Sequence, residues 1–195
     1  MCARYELNEQ PRNIAVRFGL DALPPVVNRA IIRPTDQALV VRSGGDAVLC
    51  GWGFDVTWDS KPLINGRAET LDQKPTFRPY LENRCVVPAT GYFEWRTGER
   101  AKHKNFIRPA DQATYAMAGL AVNNRFIVLT CAPAPGIAHI HNRMPVILSP
   151  DCEPDWLDPG QPFSAVAHHL VAYDRAPMLA EEEQPPVADQ GDLFH

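Results

Sequence analysis

The chain has 195 residues, 45% of them apolar and 22% charged, with a formal net charge of −4. These proportions exclude a disordered or fibrous chain, and the length suits one domain that buries roughly 70% of its unfolded surface. No run approaches the roughly 20 apolar residues of a membrane span, and the polar N-terminus lacks the apolar stretch of a secretory signal, so a cytoplasmic protein without a membrane partner is expected.

The charge is unevenly spread. All 19 Lys and Arg and 18 of the 23 acids fall in residues 1–175, leaving that body close to neutral, while five acids crowd the last twenty residues. Fifteen of the basic residues are arginines, whose planar fork can bond two phosphate oxygens at once. Five cysteines (Cys2, Cys50, Cys85, Cys131 and Cys152) are widely spaced with no CxxC pair. In a reducing compartment this argues against a disulfide framework and against a tetrahedral zinc site. Cys50, Cys85 and Cys131 stand in apolar runs and are expected to be buried and inert.

In chain order, Met1-Cys2-Ala3-Arg4 comes first. Removal of Met1 would leave one residue with an α-amine and a thiol on adjacent carbons, with ordinary pKa values of roughly 8 and 8.5. Such a pair condenses with an aldehyde to an imine, which the thiol closes into a five-membered thiazolidine. Arg4 to Leu7 reads as an extended piece, and residues 11–30 as helix and loop around Ile14, Phe18 and Leu20. Ala38–Val41 and Ala47–Cys50 form a hairpin across Ser43-Gly44-Gly45-Asp46. Trp52 between Gly51 and Gly53 reads either as a base-stacking platform or as a core residue flanked by turn-forming glycines.

Ile64–Thr70 alternates like a strand that places Asn65, Arg67 and Glu69 on one face, solvated or functional. Thr76 reads as the N-cap of a short helix running to Asn83. Arg84–Pro88 and Gly91–Trp95 are strands around Ala89-Thr90-Gly91. Glu94 stands between two aromatics there, as an outward side chain or as a general acid against an apolar wall. Tyr115–Val122 and Arg125–Cys131 form a hairpin turning at Asn123-Asn124. His141 and Arg143 immediately precede a buried strand; His139 and His141 have no third ligand at a plausible spacing, so no metal is expected. Cys152–Leu157 reads as a short helix, Ala165–Tyr173 as a final strand, and residues 176–195 as a flexible acidic tail. Many short β-runs without strand–helix alternation give an α+β fold: a single domain over 2–175 with a mainly antiparallel, curved or barrel-like sheet and short peripheral helices.

Met1-Cys2-Ala3-Arg4, Trp52-Gly53, Asn65-Gly66-Arg67-Ala68-Glu69-Thr70, Arg84-Cys85-Val86-Val87-Pro88-Ala89-Thr90-Gly91-Tyr92-Phe93-Glu94-Trp95 and His141-Asn142-Arg143-Met144-Pro145 resemble, in order, the motifs of the SOS-response-associated peptidase (SRAP) family. The resemblance covers residues 2–173. It departs at Ala3, where the family usually has Gly, and at Gly66, where Ala is usual. The resemblance implies a DNA-repair protein, nucleoid-associated when on DNA, that binds single-stranded DNA and captures abasic sites as a thiazolidine crosslink, without a cofactor and as a monomer. It implies Cys2 as nucleophile with Asn65, Glu94 and His141 as polar partners, and Arg67 and Arg143 on DNA phosphates. Arg4 is a further expected phosphate contact, and Trp52 and Trp95 are expected to stack on bases or to cover the site. Two rivals remain at this stage: a cysteine-type autopeptidase or amidohydrolase using Cys2, which includes removal of Met1, and a passive single-stranded-DNA binder with no chemistry.

Overall fold

The computed structural model describes residues 2–25, 28–99 and 101–183. Its strands are β1 (Tyr5–Leu7), β2 (Arg29–Ile32), β3 (Gln37–Arg42), β4 (Ala47–Trp52), β5 (Asn65–Arg67), β6 (Arg84–Ala89), β7 (Gly91–Thr97), β8 (Lys102–Pro109), β9 (Tyr115–Val122), β10 (Arg125–Cys131), β11 (Met144–Pro145), β12 (Ile147–Leu148) and β13 (Met178–Glu182). Three short helices accompany them: α1 (Pro11–Phe18), α2 (Glu153–Leu157) and α3 (Phe163–Val166). Helix α1 begins with proline, which needs no amide partner there, and stops at Gly19, whose left-handed backbone (φ 61°) returns its amide to Ala15 and Val16.

Strands β4, β3, β6, β9 and β10 close a ring, because β10 is antiparallel to β9 on one edge and parallel to β4 on the other. All residues of β6 and Tyr115–Ala121 of β9 are buried, which explains why they read as continuous apolar runs instead of alternating ones. The β9–β10 hairpin turns through Asn123 and Asn124, both at positive φ, the backbone that a two-residue turn between twisted strands requires. Beyond Val128 the hairpin splays open. Met144–Leu148 fills the gap, with β11 on β10, β12 on β9, and Val146 bonded to Leu129 and Ala118.

The second sheet is antiparallel throughout, in the order β13-β8-β7-β1-β2. The chain crosses from barrel to second sheet at Thr90, whose amide donates to the Glu6 carbonyl and whose hydroxyl donates to the Glu6 carboxylate, each at 2.8 Å. A Cβ at Gly91 would stand 2.0 Å from the Phe106 ring, so only glycine permits this bend. The barrel with its antiparallel second sheet and short helices is the α+β architecture that the sequence leads one to expect.

Several local expectations do not hold. Residues 76–83 form only a 3-10 turn at Arg78–Tyr80, in which the Tyr80 amide bonds back three residues to Phe77 and the Asn83 amide three residues to Tyr80, not four as in an α-helix. Ala165–Tyr173 is not a strand but α3 followed by a 3-10 turn; its buried Phe163, Val166, Leu170 and Tyr173 recur at helical spacing. Glu69 leaves the strand after Arg67 and enters a 3-10 turn, so it does not continue the face of Asn65 and Arg67. The acidic tail expected from residue 176 begins as a strand: β13 pairs with β8 from Met178↔Pro109 to Glu182↔Asn105. Its acids meet Arg96, His103, Lys104 and Arg108. Exposed pairs of this kind contribute about 0–1 kcal/mol each, so backbone pairing and buried Met178 do more to hold the strand. Residues 184–195 of the expected tail lie outside the described residues.

Gly119 marks the tightest crossing of the barrel wall, where an added Cβ would meet the Ile127 carbonyl at 2.7 Å and the Cys85 sulfur at 3.0 Å. Backbone on one side gives little room to relax. Gly119→Ala is therefore expected to lower stability by about 1–3 kcal/mol, measured by urea unfolding.

Candidate active site

The N-terminal segment is laid along β7: the Phe93 amide donates to the Arg4 carbonyl at 2.9 Å, and Tyr5 and Glu6 pair with Tyr92 and Gly91. That places Cys2 beside Glu94. Cys2 is completely buried, and its thiol has only a weak contact, 3.7 Å, to the Arg4 carbonyl. Asn65, the first residue of β5, donates from Nδ2 to the Cys2 carbonyl at 2.8 Å. Its other amide atom, Oδ1, is buried and has no hydrogen-bond partner among the described residues.

His141 arrives from the opposite side, on the loop before β11. Its Nδ1 stands 3.8 Å from the Glu94 carboxylate, 3.1 Å from the Arg143 amide nitrogen and 3.2 Å from the Arg143 carbonyl, so the loop backbone and Glu94 fix the orientation of the ring. Ala3, Arg4, Glu94, Trp95, Lys102 and His141 are among the residues that line a cleft of about 480 Å³ at this point.

Burial, reinforced by the nearby Glu94 charge, pushes the Cys2 thiol up to about 12, while the Arg4 backbone and the chain's amine oppose that only in part. The thiol is protonated at neutral pH. Burial raises Cys131 to about 12 as well and raises Cys85 further, and both are buried, as their apolar sequence settings suggest.

The remaining predicted residues separate into three groups. Arg4 and Trp95 frame the cleft together, the guanidinium 4.9 Å from the ring centre. Arg67 is exposed on β5. Arg143 forks onto both oxygens of Glu69 at 2.7 and 2.8 Å, and this pairing holds the Glu69 carboxyl below its ordinary range. Trp52 has no open face: it is fully buried, stacked on Phe126, edge-on to Tyr5, and bonded through Nε1 to the Ile64 carbonyl. The base-stacking role expected for it is corrected to a core role. Its neighbour Gly53 stands at φ 118° with Pro62 filling the place of a side chain.

The sequence reading passed over two features. Trp58 is 66% exposed at the mouth of a second cleft of about 400 Å³, lined by residues that include Phe54, Tyr80 and Arg125. A tryptophan in a polar loop beside Asp59, Ser60 and Lys61 was the signal for it. The other feature is a set of three buried phenols, Tyr5, Tyr92 and Tyr115, whose hydroxyls have no partner among the described residues. Each such group costs about 1–3 kcal/mol when left unbonded, and nothing in their apolar strand patterns announces them.

Gly66 also acquires a reason. A methyl there would meet Leu71 at 2.8 Å and Leu129 at 3.1 Å, so large neighbours occupy the room that an alanine would need. Among the described residues, no helix is long and apolar enough to cross a membrane, and no three of His, Cys, Asp or Glu gather as a metal site.

The family model for SOS response associated peptidase (SRAP) matches residues 1–187. The chain is 32% identical to the abasic site processing protein YoaM of Bacillus subtilis over 184 residues, covering 82% of this chain and 80% of that protein. It is equally close to the abasic site processing protein YoqW of the same organism, over 82% and 81% of the two chains. Among solved structures, a protein from Bacteroides thetaiotaomicron superimposes with a TM-score of 0.83 at 24% identity, over 94% of this chain and 92% of that one. The motifs around Cys2, Asn65, Glu94 and His141 therefore stand within a family match that spans nearly the whole chain, and the protein belongs to the SOS response associated peptidase (SRAP) family.

Proposed function

We propose that this protein processes abasic sites in DNA, capturing the sugar aldehyde on single-stranded DNA as a thiazolidine through Cys2 once Met1 is removed. The observation that carries the reading is the gathering of Glu94, His141 and Asn65 around a cysteine one residue from the chain start. The names of the relatives YoaM and YoqW support the substrate class.

An abasic deoxyribose is mostly a closed hemiacetal. His141, an imidazole lining the cleft, is suited to move the proton that opens the ring and frees the C1′ aldehyde. The α-amine of Cys2 attacks that carbon, and the resulting carbinolamine loses water to give the imine. Glu94 is the acid placed to protonate the departing oxygen. Sulfur then bonds to the same carbon; the C=N pair moves to nitrogen, which takes the thiol proton. One water is released overall. The protonated thiol sets the order, since the amine is the stronger nucleophile until an imine stands beside the sulfur. Asn65 fits as the holder of the residue's backbone, through its Nδ2 bond to the Cys2 carbonyl.

A peptidase using Cys2 would turn over a peptide, whereas the proposed chemistry leaves a covalent adduct with abasic DNA, and a substrate panel separates the two. A passive binder would leave the gathering of Cys2, Asn65, Glu94 and His141 without purpose. Exposed Arg67, with Arg4 at the cleft, suits flanking phosphates; Arg143 would reach a phosphate by exchanging Glu69 for it. Exposed Trp58 is a ring open to bases, and Trp95 lines the cleft with Arg4 over its ring.

Cys2→Ser retains the amine but replaces the thiol by a far poorer nucleophile. The expected product with an abasic oligonucleotide is a Schiff base, trapped by borohydride and lost on heating, whereas the parent adduct survives heat. An equally heat-stable serine adduct would remove sulfur from the linkage. Blocking the amine is the complementary test. A chain that keeps Met1, or carries an uncleaved N-terminal tag, is expected to form no adduct by intact mass spectrometry although its thiol is free. Arg67→Glu is expected to weaken binding to single-stranded DNA at low salt and to flatten the slope of log affinity against log salt by about 0.7, one phosphate contact. An unchanged salt titration would place the DNA path elsewhere.

A further inference from the structure

Glu182 of β13 is held between two basic side chains of the β7–β8 hairpin. Its Oε2 accepts from Arg96 Nη2 at 2.7 Å, and its Oε1 stands 2.7 Å from His103 Nδ1. A carboxylate has no proton to give, so the hydrogen between Oε1 and the ring belongs to His103. Arg96 and His103 are themselves cross-strand partners, so strand register alone brings both donors to one point. All three side chains are between 35% and 38% exposed, which leaves the place open to a ligand from solvent. Arg96, with His103 behind it, holds the Glu182 carboxyl below its ordinary range.

This pair of donors adjoins the candidate active site. Arg96 follows Glu94 by two residues on β7, so the two side chains leave the same face about 7 Å apart along the strand. Glu182 reaches that face because it pairs with Asn105, which is also the partner of Glu94. Beyond Arg96 and His103 the next rung is Thr97 with Lys102, and both line the cleft together with Glu94 and His141. We propose that Arg96 and His103 form a seat for a phosphodiester group of the DNA strand at the cleft, and that Glu182 is the chain's own anion in that seat, displaced when DNA binds.

Phosphate as the occupant rests on the proposed DNA function, while the convergence of two donors on one anion does not. A phosphodiester carries one negative charge on two free oxygens, as the Glu182 carboxylate does, so the same donors can take one oxygen each. Backbone pairing presents Glu182: it lies opposite Asn105, and the Glu183 amide donates to the Lys104 carbonyl at 2.8 Å. The carboxylate therefore stays over the seat without help from its ion pairs, which are exposed and weak. Exchange for phosphate is a side-chain movement that leaves β13 in place and makes or breaks no covalent bond. Its effect is a threshold. Passing DNA must displace an anion that is always at hand, whereas a strand already held in the cleft offers its phosphate at high local concentration.

The test follows binding of an unmodified single-stranded oligonucleotide by fluorescence anisotropy across a salt titration. Glu182→Gln keeps the strand and the side-chain volume but takes the resident charge out of the seat. It should bind roughly eightfold more tightly at 50 mM salt and steepen the slope of log affinity against log salt by about 0.7, as one added phosphate contact does. Arg96→Gln in the Glu182→Gln background should cancel both gains. Glu181→Gln removes the same net charge from the opposite face, beside Arg108, and should stay within about twofold of the parent, because screening mutes distant charge. Equal gains for Glu181→Gln and Glu182→Gln would reduce the effect to net charge and overturn the seat, as would a gain that survives Arg96→Gln. Without DNA, inorganic phosphate should shift the His103 ring signals of Glu182→Gln in NMR at concentrations that leave those of the parent unmoved. Signals unmoved in both would also overturn the seat. If neither chain binds DNA while phosphate still moves His103 in Glu182→Gln, the DNA reading fails and the anion seat stands.

Discussion

Strand β10 is paired along both edges, and the site depends on that constraint. One edge takes β9 and then β11; the other takes β4 at Arg125 and Phe126 and then β5 from Val128 to Thr130. Closing the ring leaves the barrel no free edge through this strand. It also brings Asn65 of β5 and the His141–Arg143 segment before β11 to the same end of β10, although they are far apart in sequence. Thr130 is the point of convergence, opposite Arg67 on one side and Pro145 on the other.

The second sheet supplies the other half. Because β1 lies against β7, the first residues of the chain are carried past Glu94 into the seam between sheet and barrel. A chain terminus is ordinarily a mobile, solvated place. Here Cys2 is buried instead, held through its carbonyl by Asn65. Burial keeps the thiol protonated, and under the proposed chemistry that assigns the first bond to the amine.

Electrostatics at the rim follow a different rule from those in the seam. Arg143 is tied to Glu69 by a two-pronged pair, and β13 sets its acids against the basic side chains of β7 and β8. In both places an acid occupies a cation that would otherwise face solvent or phosphate. The β13 pairs lie near the surface, screened and individually weak, whereas Arg143 is mostly buried and its forked pair with Glu69 is the firmer of the two arrangements.

Much of the arrangement was legible in the residues. Asn123-Asn124 and the apolar runs of β6, β9 and β10 announce paired strands and a hairpin because turn chemistry and strand periodicity are local properties, whereas closure of the sheet into a barrel depends on which distant strands meet. Cys2, Asn65, Glu94 and His141 were readable as candidates from residue type and motif order, without any view of how they meet. What the residues did not decide was accessibility and partnership. Trp52 looked open and is buried, because the glycines beside it serve close backbone packing, while Trp58 in a polar loop is the exposed ring. Residues 165–173 looked like a strand until the spacing of their buried side chains against the barrel was known. Acidic residues 181–183 looked like free tail because only β8, distant in the sequence, provides the edge and the cations that order them. The tyrosine hydroxyls were silent for the same reason: a phenol at an apolar strand position reads as core, and only the tertiary structure shows that those of Tyr5, Tyr92 and Tyr115 are buried without a partner among the described residues.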